Sequence, residues 1–324
     1  MTTSELFIGA SAPIQTLLKD AARIAPTDAT VVITGESGVG KSLLARWLHE
    51  HSRRAAGPFV VIDCGALPEP LLEAELFGYE RGAFTGATAA KAGRFEAAQH
   101  GTLVLDEVAA LSPTAQAKLL RVIEERRVMR LGGVRLLTLD VRFIAVTNTD
   151  LAAAVARRAF RADLFHRLNV VALEVPPLRN RPADIPPLAR HFLKLAAQRN
   201  HLPSLKLEAE TLTFLERYDF PGNVRELRHA IEHAALATPD GCIRREHLPS
   251  RMTSATALIR HASRKPTLAE LEAAYIREIL RHVGWRKAEA ARILGISRKN
   301  LYEKLRAYGI PYQPTDGDAA DASA

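Results

Sequence analysis

Hydrophobic and polar positions follow two regimes along this chain. Short apolar runs at Thr30–Thr34, Phe59–Asp63, Gly101–Asp106 and Val141–Thr147 are rich in Val, Ile, Leu and Phe, and longer stretches of helical period separate them. That succession predicts a parallel, doubly wound α/β sheet with helices on both faces. After Val175-Pro176-Pro177 the strand signal vanishes, and Ile185–Asn200 and Glu208–Arg217 repeat at the helical period, which predicts a small α-helical lid. A stretch rich in Ser, Thr, Arg and Pro, from about Pro249 to Pro266, predicts a linker. Three helical segments follow, Leu268–His282, Lys287–Leu294 and Ser297–Tyr308, before a tail rich in Asp, Ala, Gly and Pro that predicts disorder. The expected organisation is an α/β subdomain over 1–175, a lid over 176–248, a linker over 249–266, an all-α domain over 267–310 and a disordered tail over 311–324.

Composition narrows the functional classes. The 324 residues are 47% hydrophobic and 25% charged, ordinary for a globular protein, and no run approaches the ~18 apolar residues of a membrane span. The opening Met1-Thr2-Thr3-Ser4-Glu5 carries no signal-peptide pattern, so a cytoplasmic protein with no membrane partner is expected. Two cysteines, Cys64 and Cys242, exclude a disulfide framework. The net charge of +8 is concentrated: residues 251–306 hold 13 basic and 5 acidic side chains, whereas residues 307–324 hold three acidic and no basic ones. A polyanion-binding module near the C-terminus is therefore expected.

The chemistry starts at Gly35-Glu36-Ser37-Gly38-Val39-Gly40-Lys41-Ser42, between the strand Val31–Thr34 and the helical Leu43–His51, the context a phosphate-binding P-loop requires. Its glycines let backbone N–H groups turn toward phosphates, the helix offers its positive end, Lys41 reaches the β and γ phosphates and Ser42 can ligate Mg²⁺. ATP and Mg²⁺ are the expected cofactors. The run Thr102–Leu105 ends in Asp106-Glu107, delivering two carboxylates to the carboxyl edge of the sheet, Asp106 suited to Mg²⁺ and Glu107 to activating water. Asn148, just beyond Val141–Thr147, is placed to orient water at a γ-phosphate. Arg161 and Arg167 are candidates for stabilising transferring phosphoryl oxygens, often from a neighbouring subunit, although a lone arginine is by default a solvated charge.

The segment Gly82-Ala83-Phe84-Thr85-Gly86-Ala87 has two glycines and small residues around one Phe, which reads physically as a mobile loop with an apolar tip for a protein partner. It resembles the signature of bacterial enhancer-binding proteins, the AAA+ activators of sigma-54 RNA polymerase, as do Pro177-Leu-Arg-Asn-Arg181 and Pro221-Gly-Asn-Val-Arg-Glu-Leu227. The resemblance runs from about Leu6 to Ile310. It implies an AAA+ P-loop ATPase, sigma-54 as a partner reached through Gly82–Ala87 with Phe84 and Thr85 in contact, and assembly into a ring, by family a hexamer. It further implies a second loop near Arg126–Val134, Asn148 as a sensor of the γ-phosphate, Arg161 and Arg167 as fingers acting between subunits, and Arg225 as the lid arginine that reads nucleotide.

Several positions depart from that pattern. Ser42 stands where the family often has Glu, and Phe220 where Trp is usual. Asp63 stands where many members carry an Asn that pairs with the glutamate corresponding to Glu107, and two neighbouring carboxylates repel unless one is protonated or Mg²⁺ intervenes. No receiver or sensor domain precedes the ATPase, so control is expected from a separate regulatory protein, from expression level or from a paralogous subunit. His229-Ala-Ile-Glu232-His233 matches a zinc-peptidase pattern, but it falls inside the lid helix that the ATPase reading already explains.

Near the C-terminus, helix, Gly295-Ile296 turn and helix form a helix-turn-helix resembling the Fis-type domain. Ala290, Ala291 and Leu294 are expected to pack on Ile296, Leu301 and Leu305, with Ser297 as cap, leaving Arg298, Lys299, Asn300, Tyr302 and Lys304 for double-stranded DNA. The sequence reading is thus a sigma-54-dependent activator that binds upstream DNA and hydrolyses ATP to remodel a closed promoter complex. The alternative is a DNA-binding regulator in which ATP only gates assembly.

Overall fold

The computed structural model describes residues 7–238, 241–253 and 267–310. Five strands form one parallel sheet: β1 (Val31–Thr34), β2 (Phe59–Asp63), β3 (Thr102–Asp106), β4 (Arg142–Thr147) and β5 (Val171–Glu174), in spatial order β2-β3-β4-β1-β5. Four of them fall on the predicted runs. The fifth, β5, escaped the sequence reading because it is four residues long and only Leu173 of it is buried.

Alternation along the strands builds two cores. Leu103 and Leu105 of β3, with Phe143 and Ala145 of β4, join the core beneath α3 (Glu69–Phe77) and α4 (Pro113–Glu125), through Leu72, Leu76, Leu119 and Val122. Their neighbours Val104, Ile144 and Val146 face the other way, onto Ile14 and Leu17 of α1 (Ala12–Ile24) and Leu44 and Leu48 of α2 (Lys41–Glu50). Helices thus cover both faces, and the central strands are apolar on both sides because neither side meets water.

Two antiparallel hairpins stand apart from this sheet. Gly78–Tyr79 pairs with Lys91–Ala92 and frames the Gly82–Ala87 loop, and Arg127–Met129 pairs with Leu136–Thr138. Leu131 bridges to Tyr79, so the second hairpin runs beside the first.

The chain divides into two compact units. One runs to Leu188 and takes in Gly222–Glu226, and the other comprises Ala189–Pro221 and the residues from Leu227 onward. The lid helices are α5 (Ile185–Arg199), α6 (Ala209–Glu216) and α7 (Asn223–Ala237). Ser250–Thr253, at the start of the expected linker, forms a helical turn with Met252 buried; the rest of that linker, 254–266, and the tail 311–324 lie outside the described residues.

The C-terminal helices are α8 (Leu268–His282), α9 (Lys287–Leu294) and α10 (Arg298–Ala307). Thr267 and Glu270 form a capping box at the start of α8, and the Ser297 hydroxyl accepts from the Asn300 N–H at 3.2 Å at the start of α10. Ala290, Ala291, Leu301 and Leu305 are buried in the core of this domain together with Ile276, Leu280 and Val283, with Leu294 and Ile296 packed at its margin. Gly295 takes the left-handed turn between the last two helices.

Candidate active site

The P-loop connects β1 to α2. Gly38 sits at φ +79°, and a Cβ there would lie 2.4 Å from the Gly222 carbonyl oxygen, so only glycine allows the 222–226 turn to approach this closely. Lys41 is 7% exposed, and its ammonium donates to the carbonyl oxygens of Gly35 (2.8 Å) and Glu36 (3.0 Å). Burial lowers the Lys41 pKa, while Glu107 and Asp106 act against that shift. Val39 contributes backbone only: its side chain is in the core beside Leu44, and its carbonyl accepts from the buried Arg181 at 2.7 Å.

The carboxyl ends of the strands bring the acidic residues to this loop. The Ser42 hydroxyl donates to Asp106 Oδ2 at 3.1 Å. A hydroxyl and a carboxylate so paired beside a buried ammonium fit a Mg²⁺ that also binds phosphate oxygens. Glu107 follows in the left-handed region, at φ +52°, which turns its carboxylate off the strand line toward the end of β4. There the Asn148 N–H donates to Glu107 Oε2 at 3.4 Å, and the Asn148 amide oxygen accepts from Thr149. Asp63 pairs in register with Asp106, but its Oδ1 accepts from the Gly65 N–H at 2.9 Å. The carboxylate that stands in place of an amide therefore serves its own turn and makes no hydrogen bond to Glu107. Burial, followed by the charges of Asp63, Asp106 and Glu107, pushes the Cys64 thiol up to about 12.

Sequence reasoning missed a latch on the P-loop. The Glu36 carboxylate accepts from Arg179 at 2.8 and 2.5 Å and from the Asn223 amide at 3.0 Å. Asn223 also donates to the Ser37 carbonyl at 3.1 Å and accepts from the Leu178 N–H at 2.8 Å. Hydrogen bonds from Arg179 and then Asn223 hold the Glu36 pKa down at about 2. Glu36, expected among the nucleotide-binding residues, uses its side chain to tie the loop to two later segments. Beside it, Arg225 donates to the Ser37 hydroxyl at 3.0 Å. Asn223 and Arg179 lie within quoted motifs, but nothing in their local pattern announces a partner so distant in sequence.

Arg161 and Arg167 are both exposed at the ends of one short helix, Ala162–Leu168, with Arg161 paired to Asp163 at 2.7 Å. Among the described residues neither contacts the P-loop of its own chain. The Gly82–Ala87 loop is closed by the Gly82 N–H on the Ala87 carbonyl (2.8 Å). Gly82 and Gly86 take φ +84° and +100°, Thr85 is exposed, and Phe84 is 45% exposed, edge-on to Tyr79 with ring centroids 4.9 Å apart. Arg130 of the second hairpin reaches Glu96 (2.8 and 2.7 Å) and Glu80 (3.3 Å), joining the two loops at their bases.

On the recognition helix α10, Arg298 and Lys299 are exposed, and Asn300 and Tyr302 are half-buried. Lys304 departs from expectation: it pairs with Glu272 of α8 at 2.7 Å, which raises its pKa, so its ammonium is engaged within the domain. Of the zinc-like trio, His233 Nδ1 lies 3.1 Å from the His247 carbonyl and Glu232 faces Arg199 at 3.4 Å. Among the described residues no group of three metal-ligating side chains is assembled.

A P-loop ahead of a strand ending in Asp-Glu, a helical lid and a C-terminal helix-turn-helix define a nucleotide-binding AAA+ module joined to a DNA-binding domain. Residues 7–174 match the sigma-54 interaction domain, 179–264 the AAA+ ATPase lid domain and 267–308 the Fis family of bacterial regulatory proteins. The transcriptional regulatory protein ZraR of Escherichia coli K12 is 46% identical over 298 residues, covering 92% of this chain and 68% of that protein. The regulatory protein AtoC of the same organism is 43% identical over 302 residues, covering 91% and 66%. Among solved structures, NtrX from Brucella abortus in complex with ADP superposes with a TM-score of 0.71 at 33% identity, over 95% of this chain and 70% of that one. The chain belongs to the sigma-54-interacting family of AAA+ transcriptional activators, with a Fis-type DNA-binding domain. Among the described residues no helix is long and apolar enough to cross a membrane.

Proposed function

We propose that this protein couples ATP hydrolysis to remodelling of the sigma-54 closed promoter complex, working as a cytoplasmic ring, a hexamer by family, held near the promoter by its helix-turn-helix. The observation that carries the reading is the convergence of Lys41, Ser42, Asp106 and Glu107 at one sheet edge, with the Gly82–Ala87 loop as a separate exposed element of the same unit. Lys41 and the P-loop N–H groups would hold the phosphates, Ser42 and Asp106 would hold a Mg²⁺ that neutralises phosphate charge, and Glu107, steered by Asn148, would take the proton of the attacking water. Arg161 and Arg167, idle toward their own P-loop and exposed, suit a neighbour's γ-phosphate, and Arg225 senses nucleotide beside Ser37. Phe84 and Thr85 present the contact for sigma-54, while Arg298, Lys299, Asn300 and Tyr302 face DNA.

The test separates hydrolysis from its use. Glu107→Gln should bind ATP and lose turnover by about 10²-fold or more. Thr85→Ala should retain turnover and fail to form open complexes on a sigma-54 promoter with purified holoenzyme. Absence of ATP turnover in the wild-type chain would instead leave the assembly-gating reading standing.

A further inference from the structure

The chain has two tryptophans, and one of them occupies a position that its backbone does not favour. Trp285 sits at φ +65°, directly after Gly284 at φ +61°, so the turn from α8 to α9 makes two successive left-handed steps. The first falls on glycine, which adopts it freely, whereas the second falls on the bulkiest side chain available. The turn itself needs only the backbone: the Trp285 N–H donates to the Leu280 carbonyl at 2.7 Å, closing the end of α8. Trp285 is 39% exposed and is not among the core residues Ile276, Leu280, Val283 and Leu301, so a substantial part of this large residue stays open to solvent. Among the described residues its ring has no aromatic, cationic or hydrogen-bonding partner.

Its place supplies a reason for the strain. Trp285 lies two residues before Lys287, the first residue of α9, and α9 is the first helix of the helix-turn-helix pair. When a recognition helix enters the major groove, that first helix crosses the phosphate backbone. Two arginines stand on either side of Trp285 in sequence: Arg281 and Arg286 are both exposed, and Glu289 is occupied by Arg286 at 3.0 Å. An amphipathic ring with a single N–H donor suits a sugar-phosphate surface, apolar on the deoxyribose and accepting at the phosphate.

We infer that Trp285 is a DNA-backbone contact, its ring packed on a deoxyribose and its indole N–H donating to a phosphate oxygen, and that the strained turn persists because it holds the ring there. The inference rests on the helix-turn-helix being the DNA-binding part of the chain. It adds a residue that the recognition-helix pattern does not contain, one that strengthens binding without reading sequence.

The intact chain carrying Trp47→Phe, which leaves Trp285 as the only indole, is titrated with a mixed-sequence DNA duplex of about 30 base pairs over a range of salt concentrations. Indole emission should shift on binding. Trp285→Gly should weaken binding about tenfold at every salt concentration with the slope against log salt unchanged, since no charge is lost. The same variant should unfold at an equal or higher temperature, because glycine relieves the strain. Trp285→Phe, which keeps a ring and loses the N–H, should fall between. Lys299→Ala serves as the contrast, reducing the salt slope by about one. Unchanged affinity in Trp285→Gly, or indole emission that ignores the duplex, overturns the inference while leaving the DNA-binding assignment intact. A fall in both affinity and unfolding temperature makes the ring structural and overturns it too. A wild-type chain that does not bind the duplex removes the assignment and the inference together.

Discussion

Glu36 carries a charge that the nucleotide does not need. Phosphates gain nothing from a carboxylate beside them, yet this one is kept ionised by Arg179 and Asn223 and held at about 2. Its folded pKa lies below the ordinary glutamate value of about 4.3, so its contribution to stability is complete above that value and is lost as the pH falls toward 2. With 41% and 39% of the two charged side chains exposed, the contribution is about 1 kcal/mol or less. Glu36→Gln should therefore lower the unfolding temperature by a constant amount above about pH 5, and the gap to wild type should close as the pH falls below about 4. Parallel melting curves at all pH values would remove the latch from the account.

The two hairpins show what a single element can and cannot do. Neither has more than three residues in a strand, and each leans on the other through Leu131, Tyr79 and the Arg130 pairs with Glu96 and Glu80. Arg130 lies within one element and addresses both, so its loss should free the Gly82–Ala87 loop without touching Lys41 or Asp106. Arg130→Ala is expected to keep basal ATP turnover within about threefold and to reduce open-complex formation at least tenfold, a difference of about 1.4 kcal/mol in coupling. Equal losses in both assays would place Arg130 in the catalytic framework instead. The hairpins also mark where sequence reading reached its limit. Strands of two or three residues cannot display a period, whereas the long buried runs of β3 and β4 and the amphipathic helices α8 to α10 can. The P-loop and the Asp-Glu pair were legible because each is local, a handful of residues at the end of a strand. The latch was not, because Arg179 and Asn223 meet Glu36 across 143 and 187 positions and only folding brings them together. The Lys304–Glu272 pair was illegible for the same reason: the helix face of Lys304 reads as free until Glu272 arrives from another helix.

For the whole molecule, the exposed arginines matter most. Among the described residues Arg161 and Arg167 make no contact with the P-loop of their own chain, and the proposed ring gives them a role at a neighbour's. Arg167→Ala and Glu107→Gln chains should each be inactive alone, and mixing them should restore part of the ATP turnover, since some junctions then pair an intact glutamate with an intact arginine. No recovery at any ratio would place the arginines in cis or outside catalysis. The interleaved division of the chain has a further consequence, for synthesis. The unit that cradles phosphate is closed by Gly222–Glu226, which the ribosome delivers long after the last strand of the sheet. A nascent chain halted at residue 180 holds every strand of the five-stranded sheet and Arg179, yet lacks the amide that clasps Glu36 and Ser37 and the turn that abuts Gly38. The sheet can assemble early, but its phosphate cradle cannot be finished until the chain has passed Asn223 by the length of the exit tunnel. ATP thus meets a completed site only on a polypeptide that already carries most of its lid, and the order of segments along the chain delays nucleotide capture.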